Sequence, residues 1–538
     1  MLPILALLLF QILPLLSQPT TCPVNLDLCQ CTVVDRVFTL TCRGINQTYL
    51  NDRILLNVNL QNVGPIALTL RDFQDGMTAR WPENSNVIRT QLQSLSIINA
   101  NQIRVLPDWS SASALRECHL EGLPALSNVD FRGSLFPAGI TVLRIVSTRI
   151  TRLTEEMLTL RNLTTLELIG HARLEVIGRA FNQLNQLEVL KINGGLAKLG
   201  QNSLFGLHNV KELNLTWNGM TDLGNGVLTD LPNLVVLDLS HNDLTRTPDD
   251  LFSSPHLRFV AANHNEISTL PAGWIANTDV RRVDVTDNQL GTLPVPLSRN
   301  ASRLNSLNFS GNRLTNIAAG VFSGLGSVIE VELQENQLEH LEGEVFGGLG
   351  GVRRLNVSYN QIERIGNGVF RDMRSLQVLD LRENRVLIVE DEAFGSMGNL
   401  TEFLFTGNTL TCSCSNLHMA DYLTANHTLT SSDLYCVDPR TYQLHALSTL
   451  NATNCAPDRG NRAPFSTNLE GLLLAAAVLC GAVLFIGLGV ACSCALHPRF
   501  RKYRHSYPSD YGLDNIDYRP GHDVQITEIK AESQTTIL

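Results

Sequence analysis

Between residues 92 and 411 the apolar positions follow one rule. They recur in the spacing L-x-x-L-x-L, followed by x-x-N-x-L. The clearest copies are Val210-Leu213-Leu215 with Asn218, Leu234-Leu237-Leu239 with Asn242, and Leu257-Val260-Ala262 with Asn265. Six more end in Asn288, Asn312, Asn336, Asn360, Asn384 and Asn408, so nine asparagines follow one another at intervals of 23 or 24 residues. Earlier copies begin at Leu92, Leu115, Ile140, Leu163 and Leu187, mostly without the asparagine, and 61–91 holds degenerate ones. The alternating x-L-x-L part predicts a short strand with leucines inward and x positions outward. The asparagine side chain can satisfy backbone groups where the chain leaves the strand. A phenylalanine recurs eighteen residues after the start of seven copies: Phe181, Phe205, Phe252, Phe322, Phe346, Phe370 and Phe394. It predicts a stacked spine on the opposite side. One copy cannot bury its own apolar face, but stacked neighbours can.

Two apolar segments flank this array. Leu2 to Leu16 has the length of a secretory h-region and ends in small or polar residues, which predicts a signal peptide over 1–18. It lacks a basic n-region; a short buried helix is the rival reading. Gly471 to Leu496 runs for 26 residues without a charge, enough to span a bilayer at roughly 20 residues per crossing. Arg499, Arg501, Lys502 and Arg504 follow it, which places the C-terminus in the cytosol. The expectation is a single-pass plasma-membrane protein with its N-terminus outside.

Spacing of this period resembles the leucine-rich-repeat family over 92–411. The resemblance implies an α/β solenoid of about 14 repeats, curved, with a parallel sheet on the concave face. Cys22, Cys29, Cys31 and Cys42 precede the array, and Cys412, Cys414, Cys436 and Cys455 follow it. They look like the cysteine-rich caps of extracellular members, over 19–60 and 412–455. Each cap alone permits three pairings, and a zinc site is a rival that the secretory context disfavours. The resemblance implies Cys22–Cys31, Cys29–Cys42, Cys412–Cys436 and Cys414–Cys455. The last cap departs from the family in having Thr409 after the asparagine and no tryptophan. Cys118 sits at an inward leucine position and reads as a buried thiol; the rival is a disulfide to a partner.

Nine N-x-S/T sequons lie before the apolar span: Asn46, Asn162, Asn214, Asn300, Asn308, Asn356, Asn399, Asn426 and Asn451. Asn214, Asn308 and Asn356 fall on outward strand positions, where glycans would shield the concave face. Between Asn214 and Asn308 lies an unshielded window of three repeats. Its outward residues include Val235, Val236, Arg258, Phe259, Arg281, Arg282 and Asp284. Equivalent positions on adjacent strands lie about 4.8 Å apart, so Arg258 should stack on Arg281, and Phe259 should lie beside Arg282. Arg258, Phe259, His264, Arg281, Arg282 and Asp284 are the candidate ligand-binding residues. His241, His264 and Asp287 share one further ladder, which permits a metal site or a pH switch as well as an ordinary polar row.

A stalk over 456–470 joins the array to the span, and small-xxx-small pairs within the span offer a weak helix-association signal. Cys492 and Cys494 at the cytosolic boundary are palmitoylation candidates. The tail 497–538 is too small for a signalling domain, so it must act through short motifs. Its end, Thr536-Ile537-Leu538, fits a PDZ-domain ligand through Thr536 and Leu538. The net charge of −10 argues against nucleic-acid binding. No enzyme motif stands out, and no cofactor is called for. The pattern points to a receptor or adhesion protein for an extracellular protein ligand. Alternatives are an auxiliary subunit acting in cis on a channel or receptor, and an innate immune receptor needing a signalling co-receptor.

Overall fold

The computed structural model describes residues 26–456 except 35, 58–59, 61–63, 75–84, 86, 105, 127–134, 156–158, 172, 200–201, 225, 277, 300, 395–396, 426–429 and 432–433. The expected signal peptide, Cys22, Asn300, Asn426, the apolar span, Cys492, Cys494 and the tail lie outside the described residues. Among the described residues no helix is long and apolar enough to cross a membrane.

Each repeat contributes one rung to a single sheet of 18 strands. Neighbouring rungs pair in parallel and in fixed register. Leu213 lies beside Leu237, Leu237 beside Val260, Val260 beside Val283, and Val283 beside Leu307. These inward residues are at most 2% exposed. Burying each such side chain contributes about 1.5–3 kcal/mol, but only once the next rung covers it. Stacking is thus a condition for folding rather than an addition to it.

The buried asparagines do the work that the spacing predicts. Asn242 donates through Nδ2 to the Leu239 and Leu215 carbonyls at 2.9 and 3.0 Å, and its Oδ1 accepts from the amides of Asn218 and Met220. Asn265, Asn288, Asn312, Asn336, Asn360 and Asn384 repeat the donor pattern. In the earlier rungs His171 stands where the asparagine would. It is 3% exposed; its Nδ1 lies 3.1 Å from Thr148 Oγ1 and its Nε2 3.2 Å from the Ile145 carbonyl. Burial lowers its pKa.

On the other side of the core the phenylalanine spine runs Phe322–Phe346–Phe370–Phe394, with ring centroids 5.8–6.4 Å apart. It is interrupted by Leu228 in the repeat that starts at 210 and again in the two repeats that start at 257 and 280. There Ile275 and Ser298 occupy the eighteenth position and pair as short strands instead.

Both ends are closed. At the N-terminus the strand Cys29–Val34 pairs antiparallel with Val37–Arg43, which itself joins the long sheet beside Ile66–Arg71. The antiparallel outer strand stops further rungs from adding. Cys29 and Cys42 face each other in this hairpin and are disulfide-bonded. Cys31 is also disulfide-bonded, and its expected partner Cys22 lies outside the described residues. At the C-terminus Cys412 joins Cys436 and Cys414 joins Cys455. The helix Leu417–Ala425 covers the last rung, with Tyr422 stacked on Phe394 at 5.2 Å. Fully buried Asn416 finishes the asparagine series: Oδ1 accepts from the Val389 amide, and Nδ2 donates to the Leu387 and Thr411 carbonyls. Cys118 is buried and free, and burial pushes its thiol pKa far up, as an inert core residue requires.

Candidate functional site

The open face of the sheet carries the outward x positions in columns. Register places Val236, Phe259 and Arg282 side by side, and Asp238, Ala261 and Asp284 in the next column. The Arg281 amide donates to the Arg258 carbonyl at 2.8 Å, so these two arginines occupy consecutive rungs. Three of the candidate residues are therefore guanidinium groups gathered on two strands. Phe259 is half-buried beside them.

Much of the charge elsewhere on the face is paired. In earlier rungs the charges neutralise one another: Arg144 Nε lies 3.2 Å from Glu167, Lys191 Nζ 3.1 Å from Glu212, and Lys211 Nζ 3.1 Å from Glu188. In later rungs Arg354 meets Glu330, and Arg382 meets Asp380. Among the described residues Arg258, Arg281 and Arg282 pair with no carboxylate. Like charges on adjacent strand positions oppose one another, and this cluster leaves positive charge uncompensated on the face.

Two expectations change. Val236 is 7% exposed and adds no free apolar area; Phe259 is its register neighbour. Asp284 is committed in part to its own turn. Its Oδ1 accepts from the Thr286 amide at 3.1 Å and from the Thr286 hydroxyl. Asn308 and Asn356 make the same turn with Ser310 and Ser358. Asn214 does so with Thr216, is only 9% exposed, and turns its Nδ2 toward Asp238. A glycan on Asn214 would have to break that contact. The sequons at Asn46, Asn162, Asn399 and Asn451 are exposed.

Where the strands end, the residue before each asparagine adopts a left-handed backbone. Trp217, His241, His264 and Asp287 have φ of 53–61°. This conformation turns their side chains into one row. The indole of Trp217 stacks on His241 with centroids 3.8 Å apart and planes 9° apart. His241 stacks on His264 at 4.3 Å and 13°. His264 Nδ1 then lies 3.2 Å from Asp287 Oδ2. The predicted ladder of His241, His264 and Asp287 is thus a stack, and Trp217 is the member that sequence reasoning missed. Its position before Asn218, matching His241 before Asn242, is the signal that would have found it. Burial, and then His264 beside it, hold the His241 imidazole down to about 4. Face-to-face rings do not aim their nitrogens at one point, and among the described residues no group of three or more His, Cys, Asp or Glu is placed to hold a metal ion.

A family model described as "Leucine rich repeat" matches residues 189–244, 302–362, 327–386 and 351–410. This is a leucine-rich-repeat protein. The fold agrees with solved relatives in shape rather than in sequence. An LRR protein of Leptospira interrogans aligns over 72% of this chain and 94% of its own, with 19% identity and a TM-score of 0.54. The Toll–Spatzle complex of Drosophila aligns over 81% and 74%, with 18% identity and a TM-score of 0.50. Among curated proteins none matches this leucine-rich-repeat chain in sequence.

Proposed function

We propose that this leucine-rich-repeat protein is a cell-surface receptor or adhesion protein that binds an extracellular protein through the centre of its open sheet face. The observation that carries the reading is the cluster itself: among the described residues Arg258, Arg281 and Arg282 lie on consecutive rungs and pair with no carboxylate, whereas Arg144, Lys191, Lys211 and Arg354 elsewhere on the face each do. Arginine and aromatic side chains dominate binding energy at protein interfaces, and Phe259 and Trp217 supply the aromatic part. Protein recognition suits the fold, which in Toll carries Spatzle in the complex named above.

The sequence supplies the setting. The apolar segments at 1–18 and 471–496 support secretion and a single-pass anchor in the plasma membrane, with the array outside. On this reading exposed sequons bear glycans, Cys492 and Cys494 take lipid, and Thr536 to Leu538 engages a cytosolic PDZ-domain protein.

The test is binding of a tetramerised ectodomain, residues 19–468, to a panel of live cells that includes cells expressing this same chain. Saturable binding is expected. Arg281→Glu combined with Arg282→Glu should weaken it about 30-fold, the order expected for two charge reversals at a desolvated contact. Absence of binding from a folded, glycosylated ectodomain to every cell type would remove the reading.

A further inference from the structure

The C-terminal cap carries a small hairpin. Tyr435–Val437 pairs antiparallel with Leu444–Ala446; Tyr435 opposes Ala446, and Val437 opposes Leu444. Opposed residues share a face, so Tyr435 and Leu444 are diagonal neighbours on one side. Cys436 points the other way, is fully buried and is bonded to Cys412. The turn is braced from inside. The Tyr442 amide donates to the Asp438 carbonyl at 2.8 Å, and the Asp438 amide donates to the Gln443 carbonyl at 3.0 Å. Asp438 Oδ1 accepts from the Arg440 amide at 2.8 Å.

This rigid turn holds apolar groups out in water. Tyr442 and Leu444 are 80% and 70% exposed, the highest values for large apolar side chains among the described residues, and Tyr435 is 51% exposed. Tyr442 has φ of 58°, a region that bulky residues rarely adopt.

The place of the hairpin selects its occupant. The Cys412 amide donates to the Val437 carbonyl, and the Cys412 carbonyl accepts from the Ala456 amide. Val437 and Ala456 therefore lie within about 10 Å of each other, two strand spacings. Ala456 is where the folded cap ends, and 14 residues, 457–470, lie between it and the apolar span 471–496. A chain of that length reaches about 20 Å when relaxed and about 50 Å at full stretch. A bilayer that holds the span is thus always near the hairpin. Charge does not oppose the approach. Apart from His445, the charged residues in 434–456 are Asp438 and Arg440, which cancel. A stable protein interface uses roughly 20–30 residues a side, and this face offers three large ones. A surface already tethered nearby needs far less contact, because its effective concentration is high. Tyrosine also suits the boundary between water and lipid.

We propose that the hairpin 435–446 is a membrane footing, with Tyr435, Tyr442 and Leu444 seated in the headgroup layer of the bilayer that anchors the chain. This goes beyond the reading given above and rests on its membrane anchor. A second contact beside the tether limits how far the array can tilt on the cell surface.

The experiment places the photoreactive residue p-benzoylphenylalanine at position 444, 485 or 359 of the full-length chain, reconstituted in phosphatidylcholine vesicles. Phe485 lies within the apolar span, and Tyr359 is an exposed residue of the array. After illumination, mass spectrometry identifies what each position has captured. Lipid adducts at 444 and 485, and none at 359, are expected. Tyr442→Asn, suited to the left-handed backbone, should cut the adduct at 444 about tenfold, the ratio for losing one buried apolar side chain. An adduct at 485 without one at 444, capture of a second copy or another protein at 444, equal adducts at 444 and 359, or no change in the Tyr442→Asn chain would each overturn the footing and leave the receptor reading standing. No lipid adduct at 485 would remove the anchor, and the footing with it.

Discussion

The rungs before residue 194 and those after 212 build the same sheet by different means. Before the boundary, strands run for five to seven residues, as in Leu92–Ile98, Glu117–Leu123, Val142–Thr148 and Thr165–Ile169. After it, they run for three, as in Val236–Asp238 and Ser306–Asn308. The difference lies in how the chain turns out of the sheet. In the later rungs a buried amide side chain takes the carbonyls and amides at the corner, so the strand can stop at once. In the earlier rungs that side chain is missing, and the backbone stays extended, paired with its neighbours, until a left-handed residue turns it. The lesson concerns polar groups rather than leucines: the apolar pattern is constant across the boundary, and what varies is how the corner is hydrogen-bonded. The candidate binding row begins at Trp217, beside Asn218, the first asparagine of the series.

The largest effect should come from removing that side chain. Asn312→Ala takes the acceptor from the Leu290 amide and one of two donors from each of the Phe309 and Val285 carbonyls, which keep Asn336 and Asn288. Leaving that buried amide unsatisfied and thinning the two carbonyls should cost about 3 kcal/mol, read by urea unfolding and by faster hydrogen exchange at Leu290. By contrast, His171→Asn gives an early rung the later residue type and should change stability by about 1 kcal/mol or less. Equal losses from the two variants would erase the distinction between the halves.

A smaller effect separates the two charge environments. Glu167 lies between Arg144 and Lys191, whereas Glu332 lies between Asn308 and Asn356. Burial, and then Glu330 nearby, push the Glu332 carboxyl up to about 7. Because the folded value exceeds the unfolded one, the folded state holds the proton more tightly. The associated stability is present below about 4.5 and is lost as pH rises through about 7. Glu332→Gln should therefore stabilise the protein by up to about 1 kcal/mol at pH 8, after discounting for solvent screening, and leave it unchanged near pH 4. Thermal unfolding across that pH range measures the difference. A gain that is the same at both pH values would assign the effect to packing instead.

The smallest expected effect is local. In an NMR titration the His241 imidazole should protonate with a midpoint near 4. Its folded value lies below the ordinary one, so this group lowers stability as pH falls from 6.5 toward 4. Trp217→Asn should move the midpoint upward by exposing the ring. An unmoved midpoint would mean that His264 rather than burial holds it down.

Much of this was legible in the chain. The strand positions, the inward leucines, the buried asparagines and the consecutive placement of Arg258 and Arg281 follow from period and alternation, because a repeat array converts spacing directly into adjacency. The adjacency of Arg258 to Arg281 and of Phe259 to Arg282 was legible. Val236 was misread, since its side chain is only 7% exposed. Asp284 was placed in the right column without the turn that claims part of its carboxylate. Asn214 was read as an open glycan site, yet Thr216 and Asp238 hold its amide.

The sequence by itself determined the solenoid, its register and its two cysteine-bearing ends, since these depend on which residues repeat and how often. Only the tertiary structure decided the stacked row from Trp217 to Asp287. The reason is directional. Period says which residues share a column, but whether they stack, pair or leave a gap depends on which way each side chain leans. That depends on backbone dihedrals and on the neighbouring rungs.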